Sequence, residues 1–171
     1  SLEERKAAED FIRRMIDAGA THGARAIIGS MQGSFLPPLH RQTAIGYLGE
    51  SLARLGEYAA ATGEALLYEP LNRYETNLVH RLEDAQQLLI DAGAENVHLL
   101  ADLFHMNIEE ADSGAAIRQY AEHIGHVHAS ASHRGLLGED QVDWTSVLGA
   151  LYNVGYEGDV VIESFSEDNQ V

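Results

Sequence analysis

The chain has 171 residues, 45% of them hydrophobic, which excludes a disordered protein and provides enough apolar material for one packed domain. It has no cysteine, so disulfides and cysteine-based metal sites or nucleophiles are excluded. Its 27 acidic residues against 11 lysines and arginines give a formal charge of −16, which argues against nucleic-acid and anionic membrane partners. No run of about 18 apolar residues and no signal peptide is found, so we expect a cytoplasmic protein without a membrane partner.

Helical and extended segments alternate along the chain. Apolar residues three and four positions apart predict helices, whereas short β-branched or leucine-rich runs predict strands. In chain order, the predicted elements are a helix over 3–18, a strand over 23–29, a helix over 41–61, a strand over 64–69, a helix near 77–92, a strand near 96–103, a helix near 114–123, a strand near 125–130, a helix near 144–154 and a strand near 158–165.

This strict alternation predicts an α/β protein whose parallel strands are joined by crossover helices. The sequence has neither GxGxxG after the first strand nor GxxxxGK[ST], so the usual dinucleotide and phosphate-binding loops are not predicted. The repeated units favour a (β/α) barrel of the TIM type. A doubly wound sheet stays open as an alternative on the pattern alone.

Four predicted strands each end in a residue that can bind metal. These strand-end residues are Glu69, Asp102, His128 and Glu163. Their separations of 33, 26 and 35 residues are each about one βα unit, which would place all four at the carboxyl face of a barrel, where active sites lie. Three carboxylates and one imidazole suit Mn²⁺, Mg²⁺ or Co²⁺, and Zn²⁺ less well. The spacing therefore predicts a divalent metal site.

Each strand-end residue also has an ordinary structural interpretation. A single acid at a strand end is usually a solvated loop residue or a helix cap, and His128 alone could be a partly buried histidine. Because side chains alternate along a strand, His126 and His128 point to the same side, and either could be the ligand. The joint pattern of four strand ends is what favours the metal site.

Longer motifs around these residues resemble a known family. EPLNRYETN (69–77), LLADLFHMNIEE (99–110), IGHVHASASHRG (124–135), VDW (142–144) and GYEGDVVIESF (155–165) look like the D-tagatose/D-psicose 3-epimerase family. That family belongs to the xylose-isomerase-like TIM-barrel superfamily of sugar isomerases and epimerases. The resemblance covers nearly the whole chain, and its strongest part is the DxFHMNIEE string followed by HVH and ESF.

The resemblance implies roles for seven residues. The positions that match the family's metal ligands are Glu69, Asp102, His128 and Glu163. Glu69 and Glu163 also match its catalytic acid/base pair. Glu75 matches a carboxylate that contacts the substrate, and His105 and Arg134 match residues that bind sugar oxygens near the carbonyl. Asn72, Asn77 and Asn107 are interpreted as turn or cap residues, and Glu109 and Glu110 as the first turn of a helix.

The implied chemistry explains these residue types. Epimerising a ketose at C3 requires removing a proton beside the C2 carbonyl and returning it on the other face, which two carboxylates can do as base and acid. The implied metal would bridge O2 and O3, polarise the carbonyl and stabilise the enediolate. We therefore expect a small-molecule sugar substrate and a divalent metal, with Mn²⁺ first and Mg²⁺, Co²⁺ or Zn²⁺ as alternatives.

Other functions stay open at this point. The same fold and metal could serve an aldose–ketose isomerase that resembles hydroxypyruvate isomerase, or an inosose dehydratase. A nuclease resembling endonuclease IV would need several zinc ions and a cationic DNA surface, which the charge of −16 disfavours. A barrel fragment without activity is the alternative that is not an enzyme.

The length raises a further expectation. A complete barrel has eight strands and about 250 residues, whereas five strands are predicted here. The resemblance places them as the last five strands of the barrel, so residues 1–171 are expected to form a single partial TIM-barrel domain. We expect the chain to be a fragment, the described part of a longer chain, or a half-barrel that another copy completes in a homo-oligomer.

Overall fold

The structure is a computed structural model and describes residues 1–165. Its helices are α1 (Leu2–Ala20), α2 (Arg41–Ala60), α3 (Leu82–Ala92), α4 (Leu103–Glu109), α5 (Ser113–Tyr120) and α6 (Trp144–Asn153). Its strands are β1 (Ile27–Ile28), β2 (Leu66–Tyr68), β3 (Val97–Asp102), β4 (Ile124–Ala129) and β5 (Val160–Ile162). Short 3₁₀ turns cover Ser30–Gln32 and Ala121–His123.

The five strands form one parallel sheet in chain order, β1-β2-β3-β4-β5. The register places Asp102 of β3 beside His128 of β4. Sequential parallel neighbours joined by helices are the connectivity of a (β/α) barrel, whereas a doubly wound sheet reverses its strand order. The predicted α/β barrel-type fold is confirmed, and the doubly wound alternative is wrong.

The core lies where the helices cover the sheet. β2 is buried along its whole length, and α2 directs Leu52, Leu55 and Ala59 against it at helical spacing. Burying a leucine side chain stabilises the fold by about 1.5–3 kcal/mol. Gly56 faces Val97 of β3 so closely that a Cβ at this position would overlap the valine side chain. The glycine therefore lets α2 approach the sheet.

Several predicted boundaries are wrong. The helix predicted near 77–92 begins at Leu82, because residues 70–81 form an irregular loop. In that loop the Asn72 side-chain oxygen accepts from the backbone N–H of Tyr74, and the Thr76 hydroxyl accepts from the backbone N–H of Leu78; such local side-chain bonds compete with a helix. The strand predicted near 158–165 is reduced to β5. The N-cap of α5 is Asp112, whose carboxylate accepts from the backbone N–H of Ala115 in the first turn.

A helix that the sequence pattern did not indicate, α4, directly follows β3. Asp102 ends the strand and caps this helix, since its side chain accepts from the backbone N–H of Phe104 at 2.8 Å. One strand-end carboxylate thus has a structural role besides the predicted one.

The last strand lies at an edge of the sheet. β5 pairs with β4, and no other strand within residues 1–165 pairs with its far side. Its three residues are exposed, as is Phe165 just beyond it. Among the described helices, none combines the length and the apolar character needed to cross a bilayer.

Candidate active site

The four predicted metal ligands meet at the carboxyl ends of four neighbouring strands. Glu69 follows β2, Asp102 ends β3, His128 lies one residue before the end of β4, and Glu163 follows β5. Backbone hydrogen bonds of the sheet continue as far as these residues: the Glu69 N–H donates to a β1 carbonyl at 3.0 Å, and the Glu163 N–H to a β4 carbonyl at 3.2 Å. The strand ladder therefore positions the side chains.

The Nδ1 atom of His128 lies at the centre of the group. It is 3.7 Å from Glu69 Oε1, 3.8 Å from Asp102 Oδ2 and 3.6 Å from Glu163 Oε2. These separations are too long for hydrogen bonds and are similar to the spacing of ligand atoms around a shared cation. The structure thus brings all four predicted ligands together, and their binding of metal stays a prediction.

The unsatisfied atoms of this group fit a divalent cation. Within residues 1–165, neither Asp102 Oδ2 nor His128 Nδ1 has a hydrogen-bond partner, although both atoms are buried. A buried polar atom without a partner costs free energy, and a cation between these two would satisfy both. Asp102, His128 and Glu163 offer ligand atoms within 4.8 Å of one another, and Glu69, Asp102 and His105 form a second such group.

Burial and neighbouring charges give the three carboxylates of the site different pKa values. Burial and the neighbouring Asp102 carboxylate raise the pKa of Glu69 to about 8. Burial also raises the pKa of Glu163, and Asp102 adds to that increase. Burial would raise the pKa of Asp102 as well, but the cationic groups around it, including His128 and Arg134, outweigh burial and hold that pKa at about 2. One acid is thus ionised while two others can be protonated.

Arg134, a predicted substrate-binding residue, lies beside these carboxylates. Its guanidinium donates to Glu163, and its Nη2 atom is 3.5 Å from Asp102 Oδ2. The ring centroids of Phe104 and Phe165 lie 4.2 and 4.9 Å from the guanidinium carbon, so the cation packs against two aromatic rings. Arg134 has a φ of 59°, a left-handed conformation that a residue with a Cβ seldom adopts. Such strained residues cluster at functional sites.

The other two predicted substrate residues are joined through an asparagine. His105 is buried, with Nε2 3.8 Å from both Glu69 Oε1 and Asp102 Oδ2. On its other side, His105 Nδ1 contacts Asn72, whose side chain also donates to Glu75 Oε1 at 2.8 Å. The interpretation of Asn72 as a simple turn residue was therefore incomplete, because its side chain connects His105 to Glu75. The motif around it carried no indication of this partner.

Glu109 and Glu110 do not begin a helix, contrary to the prediction. Glu109 ends α4 and forms a bidentate ion pair with Arg73, while Glu110 follows it and pairs with Arg81 at 3.1 Å. A carboxylate oxygen of Glu110 also accepts from the backbone N–H of Leu82, the first residue of α3. These two acids hold the loop 70–81, which carries Asn72 and Glu75, against α4.

A profile of the xylose isomerase-like TIM barrel family matches residues 1–171. The chain belongs to this family. Within it, the chain is 45% identical over 118 residues to an L-ribulose 3-epimerase from Mesorhizobium japonicum, a match that covers 69% of the chain and 40% of the relative. It is 36% identical over 163 residues to a ketose 3-epimerase from Arthrobacter globiformis, covering 94% of the chain and 56% of the relative.

Solved structures of the xylose isomerase-like TIM barrel family agree with the fold. An L-ribulose 3-epimerase superposes with a TM-score of 0.86 and 35% identity, covering 94% of the chain and 55% of that structure. A D-psicose 3-epimerase from Clostridium cellulolyticum, solved with D-tagatose, superposes with a TM-score of 0.85 and 28% identity over 94% of the chain and 57% of that structure. The chain spans about half the length of the relatives it matches.

Proposed function

We propose that the chain carries the catalytic face of a metal-dependent ketose 3-epimerase. The observation that carries the proposal is the convergence of Glu69 and Glu163, whose carboxylate oxygens lie 3.7 and 3.6 Å from the same nitrogen of His128. Two carboxylates that converge on one point can act on opposite faces of a carbon held between them. The printed functions of two relatives, an L-ribulose 3-epimerase and a ketose 3-epimerase, are consistent with this chemistry.

In the proposed reaction, one of the two glutamates removes the C3 proton as a carboxylate. The C–H electron pair forms the C2=C3 double bond, and the C2 carbonyl oxygen becomes anionic. The other glutamate, in its acid form, then protonates C3 on the opposite face, and the carbonyl is restored. The raised pKa values of Glu69 and Glu163 support this exchange, because burial favours the acid form of each.

The anionic oxygen needs positive charge and hydrogen-bond donors. A divalent cation held by Glu69, Asp102, His128 and Glu163 would act as a Lewis acid on this oxygen, and Mn²⁺ is the first choice for this donor set. Arg134 and His105, whose Nη2 and Nε2 atoms lie 3.2 Å apart, would donate to the same part of the sugar. Glu75 would contact a sugar hydroxyl from the neighbouring loop.

Exchange of the C3 proton with solvent tests the proposal directly. The 171-residue chain would be incubated with Mn²⁺ in D₂O and, in turn, with L-ribulose, D-psicose, D-tagatose and D-fructose. We expect NMR to show loss of the C3–H signal and formation of the C3 epimer for at least one ketose. If the folded chain with bound Mn²⁺ exchanges the C3 proton of none of these ketoses, the proposal of a ketose 3-epimerase is wrong.

A matched pair of variants distinguishes a catalytic role of Glu163 from the general effect of removing one negative charge. Glu163→Gln should lower exchange by about 100- to 10,000-fold, because an amide cannot accept the proton. Glu157→Gln makes the same change at an exposed position six residues earlier and should leave exchange unchanged. Equal losses in both variants would contradict a specific role for Glu163. Circular dichroism would confirm that both variants keep the fold.

A second candidate reaction is epimerisation at C4 by the same proton-transfer chemistry. A 3-dehydro-D-guloside 4-epimerase from Escherichia coli is 31% identical over 160 residues of the alignment. Its carbon lies beside a C3 carbonyl instead of a C2 carbonyl, so the same two glutamates could serve. Exchange confined to C4 of a 3-keto glycoside would assign the chain to that reaction. Turnover of hydroxypyruvate alone would favour the aldose–ketose isomerase alternative.

A further inference from the structure

A buried asparagine contacts the Nδ1 side of the His105 ring. Asn72 is 1% exposed, and its backbone N–H donates to His105 Nδ1 at 3.2 Å. The Nδ2 atom of the Asn72 side chain lies 2.8 Å from the same ring nitrogen. The other ring nitrogen, Nε2, faces Glu69 and Asp102 at 3.8 Å. Two groups of Asn72 therefore converge on one nitrogen of a histidine whose other nitrogen faces the candidate site.

The orientation of the Asn72 amide follows from its other two partners. Its Oδ1 atom accepts from the backbone N–H of Tyr74 at 2.9 Å, and its Nδ2 atom donates to Glu75 Oε1 at 2.8 Å. Turning the amide over would place its oxygen against the Glu75 carboxylate and its NH₂ group against the Tyr74 N–H. Neither contact would then pair a donor with an acceptor. The NH₂ group must therefore be the part that faces His105.

We propose that Asn72 is a positioning residue that holds His105 in the neutral tautomer with its proton on Nε2. Because both Asn72 groups are donors, the nitrogen they meet must accept, and a neutral imidazole that accepts at Nδ1 carries its proton at Nε2. His105 is then a hydrogen-bond donor towards the candidate site and cannot use Nε2 as a metal ligand.

The opposite tautomer fits the surroundings less well. It would let Nε2 accept from Arg134 Nη2 at 3.2 Å, but it would set a proton at Nδ1 against two donors of Asn72. The proposed tautomer directs Nε2–H towards Arg134 Nη2, which is one donor against another, whereas the opposite tautomer makes two such conflicts with Asn72. Arg134 has other acceptors, because its guanidinium donates to Glu163 and lies 3.5 Å from Asp102 Oδ2. The doubly protonated ring has the same conflict at Nδ1.

This tautomer distinguishes the two groups of side chains that could hold a metal. The group of Glu69, Asp102 and His105 would need an unprotonated Nε2 on His105 to bind a metal. Asn72 prevents this, because its donors keep the ring proton on Nε2. In the other group, His128 Nδ1 has no hydrogen-bond partner among the described residues, and nothing comparable to Asn72 places a proton on it. Asn72 thus assigns the metal to His128 and leaves His105 to bind oxygen. The role of His105 towards a sugar oxygen rests on the proposed function, whereas its tautomer does not.

Nitrogen NMR of the histidine rings tests the inference without metal, sugar or turnover. The 171-residue chain, labelled with ¹⁵N-histidine and free of metal, would be recorded near neutral pH by long-range ¹H–¹⁵N correlation, with His105 assigned from the spectrum of His105→Gln. We expect a shift typical of an unprotonated nitrogen at Nδ1 and of a protonated nitrogen at Nε2. The reverse pattern, or two protonated nitrogens, would overturn the inference even if the chain is an active epimerase.

A matched pair of asparagine variants tests the cause. Asn72→Asp replaces the NH₂ donor by an oxygen that accepts, so the proton of His105 should move to Nδ1. Asn77→Asp makes the same change in the same loop, where the side chain bonds to the backbone of Phe35 and not to His105, and should leave the tautomer unchanged. An unchanged His105 spectrum in folded Asn72→Asp would overturn the assignment of the tautomer to the Asn72 side chain. If that variant does not fold, the wild-type spectrum still decides the tautomer.

Discussion

Gly29 lies directly against the carboxylate of Glu69, so closely that a Cβ added at Gly29 would overlap Oε2. Gln32 joins the same two residues, because its Nε2 atom donates to both of their backbone carbonyls at 3.1 Å. Its Oε1 atom accepts from the hydroxyl of buried Tyr68 at 3.0 Å. The turn after β1 and the end of β2 therefore form one hydrogen-bonded unit, which holds Glu69 against a position without a side chain.

Replacing this glycine should weaken metal binding without altering any ligand. In Gly29→Ala, the new methyl group must displace the Glu69 carboxylate from its place beside His128. Changes that disturb the orientation of a ligand typically lower metal affinity by about 10- to 100-fold, and we expect a loss of this size. Titration of the chain with Mn²⁺, followed by calorimetry or by electron paramagnetic resonance, measures it.

Gly46→Ala is the control for this substitution. Gly46 lies in α2, and a Cβ there would meet nothing within 4 Å. Alanine is favoured over glycine inside a helix by about 0.5–1 kcal/mol, so this variant should be slightly more stable and should bind Mn²⁺ as the parent does. Unchanged Mn²⁺ affinity in Gly29→Ala would contradict a role for Glu69 in binding the metal.

The contact between α1 and α2 should make stability depend on pH in the acid range. Glu9 of α1 accepts from Ser51 Oγ at 2.6 Å and from Arg54 Nη2 at 2.5 Å. Burial of the Glu9 carboxylate opposes its ionisation, but these hydrogen bonds outweigh burial and lower its pKa below the ordinary value of 4.5. The unfolded chain therefore binds the proton more readily than the folded chain, so acid favours unfolding.

The stabilisation by Glu9 is thus present above pH 4.5 and is lost as the pH falls below that value through the lowered pKa of the folded state. Glu9→Gln should cost roughly 1–2 kcal/mol at neutral pH and much less in acid, as measured by urea unfolding at several pH values. Glu50→Gln is the control, because Glu50 is exposed and lies 3.9 Å from the same arginine. If Glu9→Gln lowers the free energy of unfolding by the same amount at every pH, this account is contradicted.

The edge of the sheet at β5 should drive association of the chain. Val160, Val161, Ile162 and Phe165 are all exposed, and an unpaired apolar strand edge readily pairs with another chain. We expect native mass spectrometry to show species larger than the 18.7 kDa monomer. Ile162→Lys should shift the population towards monomer, because charge on an edge strand opposes pairing. A stable, monodisperse monomer of the parent chain would contradict this expectation.

A helix position with similar exposure provides the control for that substitution. Ile90 of α3 is 62% exposed and Ile162 is 67% exposed, so lysine replaces a comparable apolar surface in each case. Ile90→Lys should leave the distribution of masses unchanged. Equal loss of association in both variants would indicate nonspecific contact rather than pairing at the edge of the sheet.

The placement of the strand-end residues could be predicted from the sequence because it follows a regular spacing. Glu69, Asp102, His128 and Glu163 recur once per βα unit, and parallel strands bring such positions to one edge. The convergence of these side chains on one point is therefore a consequence of topology. The family resemblance added Glu75, His105 and Arg134, which lie in loops and a helix beyond the strands, where periodicity carries no information.

The supporting contacts could not be predicted because they join segments distant in sequence. Gln32 reaches Glu69 across 37 positions, and Asn72 reaches His105 across 33, and neither residue belongs to a repeating pattern. α4 was missed for another reason: its seven residues are too short for helical periodicity to distinguish from the preceding strand. Its first turn is stabilised by Asp102, which the pattern already explained as the end of a strand.

The two histidines beside Asp102 should differ sharply in their contribution to metal affinity. His128→Asn removes the nitrogen on which three carboxylates converge, so Mn²⁺ affinity should fall by more than the roughly 10- to 100-fold typical of changes outside the ligand set. His105→Asn should change it by less than about 10-fold, because the proton at Nε2 keeps His105 out of that set. Titration of each variant with Mn²⁺ in the absence of sugar measures both affinities. A larger loss in His105→Asn than in His128→Asn would reverse the assignment and place the metal among Glu69, Asp102 and His105.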